Sequence, residues 1–298
     1  MTPSILTDWS AEKARAFARE TLSFRHRLQD RLMFTDAELV QLLRRHPRGR
    51  LGVFTRGGAG WRPGLPGDLT AVELLDAVRQ GRLWLELRGL DQTHPDYAGL
   101  QGEIVADHAR FAPQVRITGC ELGLVIASPG MEAPYRVDLA LGSQFQIRGS
   151  RTVLVYPPRA PFATAEALED IVSGERAGDA VAYDPAWDAE ARRVELRPGM
   201  MLTWPQAAPT RVVCHDELNV SLSVAFMTPA ARARVDVLYA NGKLRRRFGA
   251  TPAVQGGLHP AALGKAALAR LWRTVEREPR FPRARPQFRL ARVQTAAA

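Results

Sequence analysis

Residues 119–227 carry a succession of short strand-like runs, and this limits the fold more than anything else in the chain. CELGLVIASPG, PYRVDLA, FQIRG, RTVLVYPP, RVELRPGMMLTWP and TRVVCHDELNVSLSVAFMTP follow one another with turn residues between them. Strands at such spacing, without intervening helices, predict a sandwich or barrel. One helical insertion interrupts the series, over Ala165–Ser173, with Thr164 as N-cap and Gly174 behind it.

The flanks read differently. TDAELVQLLRRHP and DLTAVELLDAVRQG each open on Thr with Glu three residues on, the pattern of a capping box, and each carries an apolar helical stripe. Arg50–Thr55 and Arg82–Leu90 read as strands, HPDYAGLQGEIVADHARFAP as a helix ended by Pro113, and GAGWRPG as a loop. After Phe226, Thr228-Pro229 starts a helix that runs to Gly249, and a last helix is expected over 261–276. The expected fold is mainly β with flanking helices, divided into residues 1–118 (mixed, packed on the barrel), 119–227 (the β core) and 228–298 (C-terminal helices and a basic tail). Val235, Leu238 and Tyr239 share one stripe of the first C-terminal helix and suggest a homodimer surface, with packing only against the chain's own barrel as the alternative.

With 298 residues, 46% of them hydrophobic and 24% charged, the chain suits one large domain or two modest ones. Its two cysteines, Cys120 and Cys214, form neither a zinc spacing nor a disulfide framework. The first twenty residues carry Asp8, Glu12 and Lys13 where a leader or span would need apolar residues. Both observations lead to the expectation of a cytoplasmic protein with no membrane partner. The net charge of +10 is concentrated beyond residue 242, where 13 Lys and Arg face only Glu276 and Glu278. Such a tail admits nucleic acid as a partner, although Phe248, Trp272, Phe281 and Phe288 are too scattered for a base-stacking platform.

PYRVD, QIRGSRTVLVYPP and ELRPGMMLTWPQAAPTRVV…DELNVSLSVAFMTP together resemble the bacterial JmjC-like, cupin-fold proteins of the iron(II)/2-oxoglutarate oxygenase superfamily, relatives of factor inhibiting hypoxia-inducible factor. The resemblance covers about residues 120–247 and implies a double-stranded β-helix, or jelly roll. It also implies a site in which a His-x-Asp pair and a later His hold iron. Here the His-x-Asp stretch falls on Arg136-Val137-Asp138, and the later His, which follows a proline, falls on Thr210 after Pro209. Arg offers a metal no lone pair, and a neutral Thr is a poor iron ligand. The resemblance therefore implies a vestigial metal site at Arg136, Asp138 and Thr210, with no bound metal and no catalytic residue.

Family members clamp the distal carboxylate of 2-oxoglutarate with a basic residue just beyond the Gly of the turn. Arg151 stands there, while a hydroxyl residue often found three before the first His is Ala133. Arg151 is thus a candidate carboxylate-binding residue, with an exposed strand position as the alternative. His215 is the one histidine near enough in sequence to replace a lost ligand, although an exposed turn position suits it better. The function expected is non-catalytic binding of a peptide, protein or small anion, 2-oxoglutarate among them, in the cleft. The alternatives are a 2-oxoglutarate-dependent hydroxylase with unusual ligands and a basic DNA-associated regulator. Arg136 and Asp138, two apart on one strand, should form an ion pair that takes the place of the metal inside a dry core, with a pair exposed to a wet binding cleft as the alternative.

Overall fold

The computed structural model describes residues 3–57, 60–250, 260–276 and 286–291. In chain order its helices are α1 (Ala11–Ala16), α2 (Asp36–Arg45), α3 (Ala71–Gln80), α4 (Leu90–Thr93), α5 (Pro95–Phe111), α6 (Ala165–Val172), α7 (Pro229–Phe248) and α8 (Pro260–Glu276). Its strands are β1 (Leu22–Arg25), β2 (Leu51–Gly57), β3 (Gly60–Leu65), β4 (Trp84–Arg88), β5 (Gly119–Ala127), β6 (Glu132–Val137), β7 (Leu141–Arg148), β8 (Arg151–Val155), β9 (Arg192–Leu196), β10 (Met200–Trp204), β11 (Pro209–Cys214), β12 (Asn219–Met227) and β13 (Phe288–Arg289).

The strands from β5 to β12 divide between two facing sheets. β5, β7, β10 and β12 belong to a nine-stranded sheet ordered β1-β10-β7-β12-β5-β4-β2-β3-β13, and β6, β8, β9 and β11 form a second sheet ordered β6-β11-β8-β9. Pairing within both is antiparallel except at β13, which runs parallel to β3. This is the jelly roll the sequence led us to expect. The strands of residues 1–118 join the large sheet. β1, β2, β3 and β4 extend the large sheet at both ends, so residue 118 is no sheet boundary. The GAGWRPG stretch is not a loop either: from Gly60 it forms β3, paired antiparallel with β2.

Period-two alternation on β12 explains how one sheet serves two cores. Val220, Leu222, Val224 and Phe226 face the N-terminal helices and join a cluster with Phe17, Leu39, Leu75 and Ile104. Ser221, Ser223 and Ala225 alternate with them and face the second sheet. The barrel interior is a smaller cluster that includes Trp84, Val125, Val153, Leu202, Trp204, Val212 and Cys214. Caps behave as their residues dictate. Thr70 and Glu73 complete a capping box on α3, and Thr228 accepts from the Ala231 N–H at the start of α7.

The α7 stripe of Val235, Leu238 and Tyr239 is covered by the chain itself. It packs with Leu168, Ile171 and Val172 of α6, Ala269 of α8 and Ala207. The packing that accounts for those residues is therefore internal, and the homodimer loses its sequence argument. Of the basic tail, residues 251–259, 277–285 and 292–298 lie outside the described residues. Among the described residues no helix is long and apolar enough to cross a membrane.

One buried histidine ties the N-terminal segment to the barrel. His26, 5% exposed, accepts the Leu28 N–H at Nδ1 (3.1 Å), so its Nε2 carries the proton and donates to the Gln146 carbonyl (3.0 Å). Burial lowers its pKa to about 4, against weaker opposing effects of the Gln146 and Met200 backbone. A histidine held neutral in the fold contributes stability that is full above its unfolded pKa, near 6.5, and is lost as pH falls toward 4. The displacement corresponds to about 3 kcal/mol. Denaturation midpoints of wild type and His26→Gln, compared between pH 7 and pH 4.5, should show a steeper acid loss in wild type.

Candidate functional site

A cavity of about 560 Å³ opens between the two sheets at one end of the barrel. Its wall on the large-sheet side is aromatic. Phe54 on β2, Trp61 on β3 and Trp84 on β4 lie in sequence, with ring centroids 5.5 Å apart at each step. Glu86 and Arg88 follow Trp84 on the same face of β4, since alternate residues of a strand share a face. Arg136, Asp138 and Thr210 line the opposite side.

The structure brings Arg136, Asp138 and Thr210 together. β6 and β11 pair antiparallel with Thr210 opposite Arg136, and a bulge between Thr210 and Val212 restores Val212 to Ala133. Arg136 Nη2 donates to Asp138 Oδ1 at 2.8 Å, as the two-residue spacing led us to expect. The pair is not dry: the two side chains are 33% and 44% exposed. An ion pair this wet contributes under about 1 kcal/mol, so the expectation of a buried core element is corrected.

Glu86 is the residue the sequence reading missed. It lies 3.5 Å from Arg136 Nη1 and 2.6 Å from Arg88 Nη2, and accepts from Trp84 Nε1 at 3.2 Å. Its side chain is 15% exposed. Burial pushes its pKa up, yet the Arg136 and Arg88 guanidiniums together outweigh that and hold it below the usual carboxylate range. On Arg136 the strongest influence is Asp138, which with Glu86 and Asp179 raises an already high pKa against the effect of burial. The alternation in Trp84-Leu85-Glu86-Leu87-Arg88 was visible in sequence. What it could not reveal is that β4 lies beside β5, which turns its polar face into the cleft.

Arg151 lies deeper. Gly149, at φ +65°, makes the turn from β7 to β8; a Cβ there would crowd the Leu218 carbonyl, so the bend that starts β8 at Arg151 favours glycine. Arg151 stands opposite Cys214 on β11 and Leu196 on β9, both members of the interior cluster. The alternative of an exposed strand residue is corrected, because Arg151 is 0% exposed. Among the described residues none of its three guanidinium nitrogens has a hydrogen-bond partner. Burial lowers its pKa to about 10, so it remains a cation at neutral pH. The Ser221 hydroxyl and the Gln146 Oε1, on neighbouring β12 and β7, are also buried without partners. Two positions along the β8–β11 ladder from Arg151, on the same face, stand Val153 and Val212, and Val212 lines the cavity.

The remaining residues singled out in the sequence are placed elsewhere. His215 is half-buried, and its ring lies between the hydroxyls of Ser150 and Thr152 at 3.0 Å each, so it is not presented to the cleft. Ala133 is buried in the interior cluster. Cys214 is buried, and burial raises its pKa to about 11 despite Arg151, so it is no nucleophile at neutral pH. Among the described residues, no three His, Cys, Asp or Glu side chains are grouped to hold a metal ion.

The sequence matches no family model and no curated protein. Solved structures do match. An X-ray structure of E. coli ycfD is similar with TM-score 0.52 at 17% identity, over 90% of this chain and 68% of that one. A crystal structure of Escherichia coli ribosomal oxygenase YcfD gives TM-score 0.50 at 17% identity, over 90% and 67%. The jelly-roll fold is shared with these two structures. At this identity the likeness speaks for the fold, and the chemistry has to come from the side chains in the cleft.

Those side chains give a graded expectation for mutagenesis. Asp138→Asn should lower stability by under about 1 kcal/mol, because the pair is half-exposed. Glu86→Gln should cost about 3 kcal/mol, since it leaves Arg136 and Arg88 facing a mostly buried neutral amide. Denaturation midpoints of the two variants check the ranking, and equal losses would contradict it.

Proposed function

We propose that this JmjC-like protein is a non-catalytic binding protein whose barrel takes a carboxylate-bearing ligand. Arg151 carries the reading. A guanidinium that stays charged, fully buried and without a single partner is costly, and the fold tolerates such a group where an anion completes it. A carboxylate suits it because the planar fork accepts two oxygens at once. The resemblance drawn from the sequence places the 2-oxoglutarate clamp at this position. Arg151 would hold the distal carboxylate of that molecule or of another small acid.

Iron does not fit the residues present. At the two positions the resemblance assigns to histidines stand Arg136 and Thr210, and the carboxylate left over, Asp138, is committed to Arg136. A guanidinium in that place repels a divalent cation as well as failing to ligate it. The reading is of a cleft that binds without oxidising, in a protein whose free cysteines, Cys120 and Cys214, suit the cytoplasm.

Thermal midpoints with acetate, succinate or 2-oxoglutarate, against sodium chloride at matched ionic strength, test the carboxylate. A ligand at a hundred times its Kd adds about 2.7 kcal/mol. Wild type should be stabilised and Arg151→Met should not. Without ligand, Arg151→Met should be at least as stable as wild type, because it removes an unpaired buried charge. Elemental analysis after iron(II) reconstitution should find well below one iron per chain, and stoichiometric iron would revive a hydroxylase.

A further inference from the structure

One side chain joins the two sheets at the open end of the barrel. Arg136 belongs to β6 of the four-stranded sheet, and Glu86, 3.5 Å from it, to β4 of the nine-stranded sheet. Asp138, just past the end of β6, holds the other prong of the guanidinium at 2.8 Å. A third carboxylate, Asp179, adds to the negative field on Arg136 from the loop after α6. Its position there is built into the backbone. The Val137 N–H donates to the Gly178 carbonyl at 2.9 Å, and a Cβ on Gly178 would overlap the Val137 carbonyl. Two separate segments thus reach the cation with their carboxylates, and Asp179 lines the same cavity. Arg88 compensates Glu86 alone. Without Arg136 the three acids would face one another across the cavity mouth, with like charges opposing its closure.

We propose that Glu86 and Asp138 form a binding site for a guanidinium-type cation, occupied in cis by Arg136, and that this occupancy ties the two sheets together at the cavity mouth. The site is distinct from the carboxylate position at Arg151 and stands whether or not a carboxylate binds there. Its specificity lies in the fork: one planar cation reaches Asp138 with one nitrogen and Glu86 with the other, which a round ion or an ammonium cannot copy in the same geometry.

Removing the tethered cation should leave a vacancy that a free one can fill. The thermal midpoint of Arg136→Ala should lie below that of wild type. Low millimolar guanidinium chloride should recover part of the loss, and sodium chloride at matched ionic strength should not. Adding Glu86→Gln and Asp138→Asn to Arg136→Ala should abolish the recovery. An Arg136→Ala midpoint equal to wild type, or equal effects of guanidinium and sodium, overturns the proposal. If Arg136→Ala does not yield folded protein, Arg136→Lys carries the test. It keeps the charge and loses the fork, so its midpoint should fall below wild type, and an unchanged midpoint overturns the proposal.

Discussion

The large sheet has to bury both of its faces, and the rest of the molecule is arranged around that requirement. One face of β12 sends Val220, Leu222, Val224 and Phe226 into the helical side, where Phe17 and Phe226 stack with rings 5.7 Å apart. The other face must then be covered by something other than helices, and the small sheet of β6, β11, β8 and β9 covers it. Because the sheets close over small residues such as Ser221, Ser223 and Ala225 on one side and Val153 and Val212 on the other, the interior is not filled evenly. It is packed tightly around Leu202 and Val153 and left hollow toward Thr210 and Arg136. The cleft is what remains where two twisted sheets diverge.

Two arginines in that space show opposite electrostatic situations. Arg136 is half-exposed and shared among carboxylates, so its charge is compensated within the chain. Arg151 is completely enclosed and has no hydrogen-bond partner among the described residues. The first resembles a finished structural element, the second an unfinished one. A protein only marginally stable overall gains nothing from an unpaired interior charge unless it is used, and this asymmetry directs attention to the inner end of the barrel.

Much of this was legible in the sequence because it depended on local pattern. The strand succession, the Thr caps of α2, α3, α6 and α7, and the two-residue spacing of Arg136 and Asp138 all reappear as read. What escaped depended on neighbours far away in the chain. Trp61 lay in a stretch that looked like a Gly-rich loop, because its partner β2 supplies the pairing that makes it a strand. Glu86 and Asp179 look like ordinary surface acids until β4 is placed next to β5 and the Gly178 carbonyl is docked on β6. The depth of Arg151 was ambiguous for the same reason: strand alternation gives a face, and which face is inside depends on Cys214 and Leu196 across the ladder.

The C-terminal segment has a role that its charge conceals. β13 lies parallel to β3, with Phe288 opposite Gly64 and its ring over that glycine, and Leu290 N–H donates to the Leu65 carbonyl. β3 is otherwise the last strand on that side of the large sheet, so these few residues act as a cover strip on an open hydrogen-bonding edge. A shortened version of this protein ending before residue 286 would present that edge bare. Self-association through strand addition would then follow from the missing strip alone, and a dimer observed with such a version would say nothing about the assembly of the full chain.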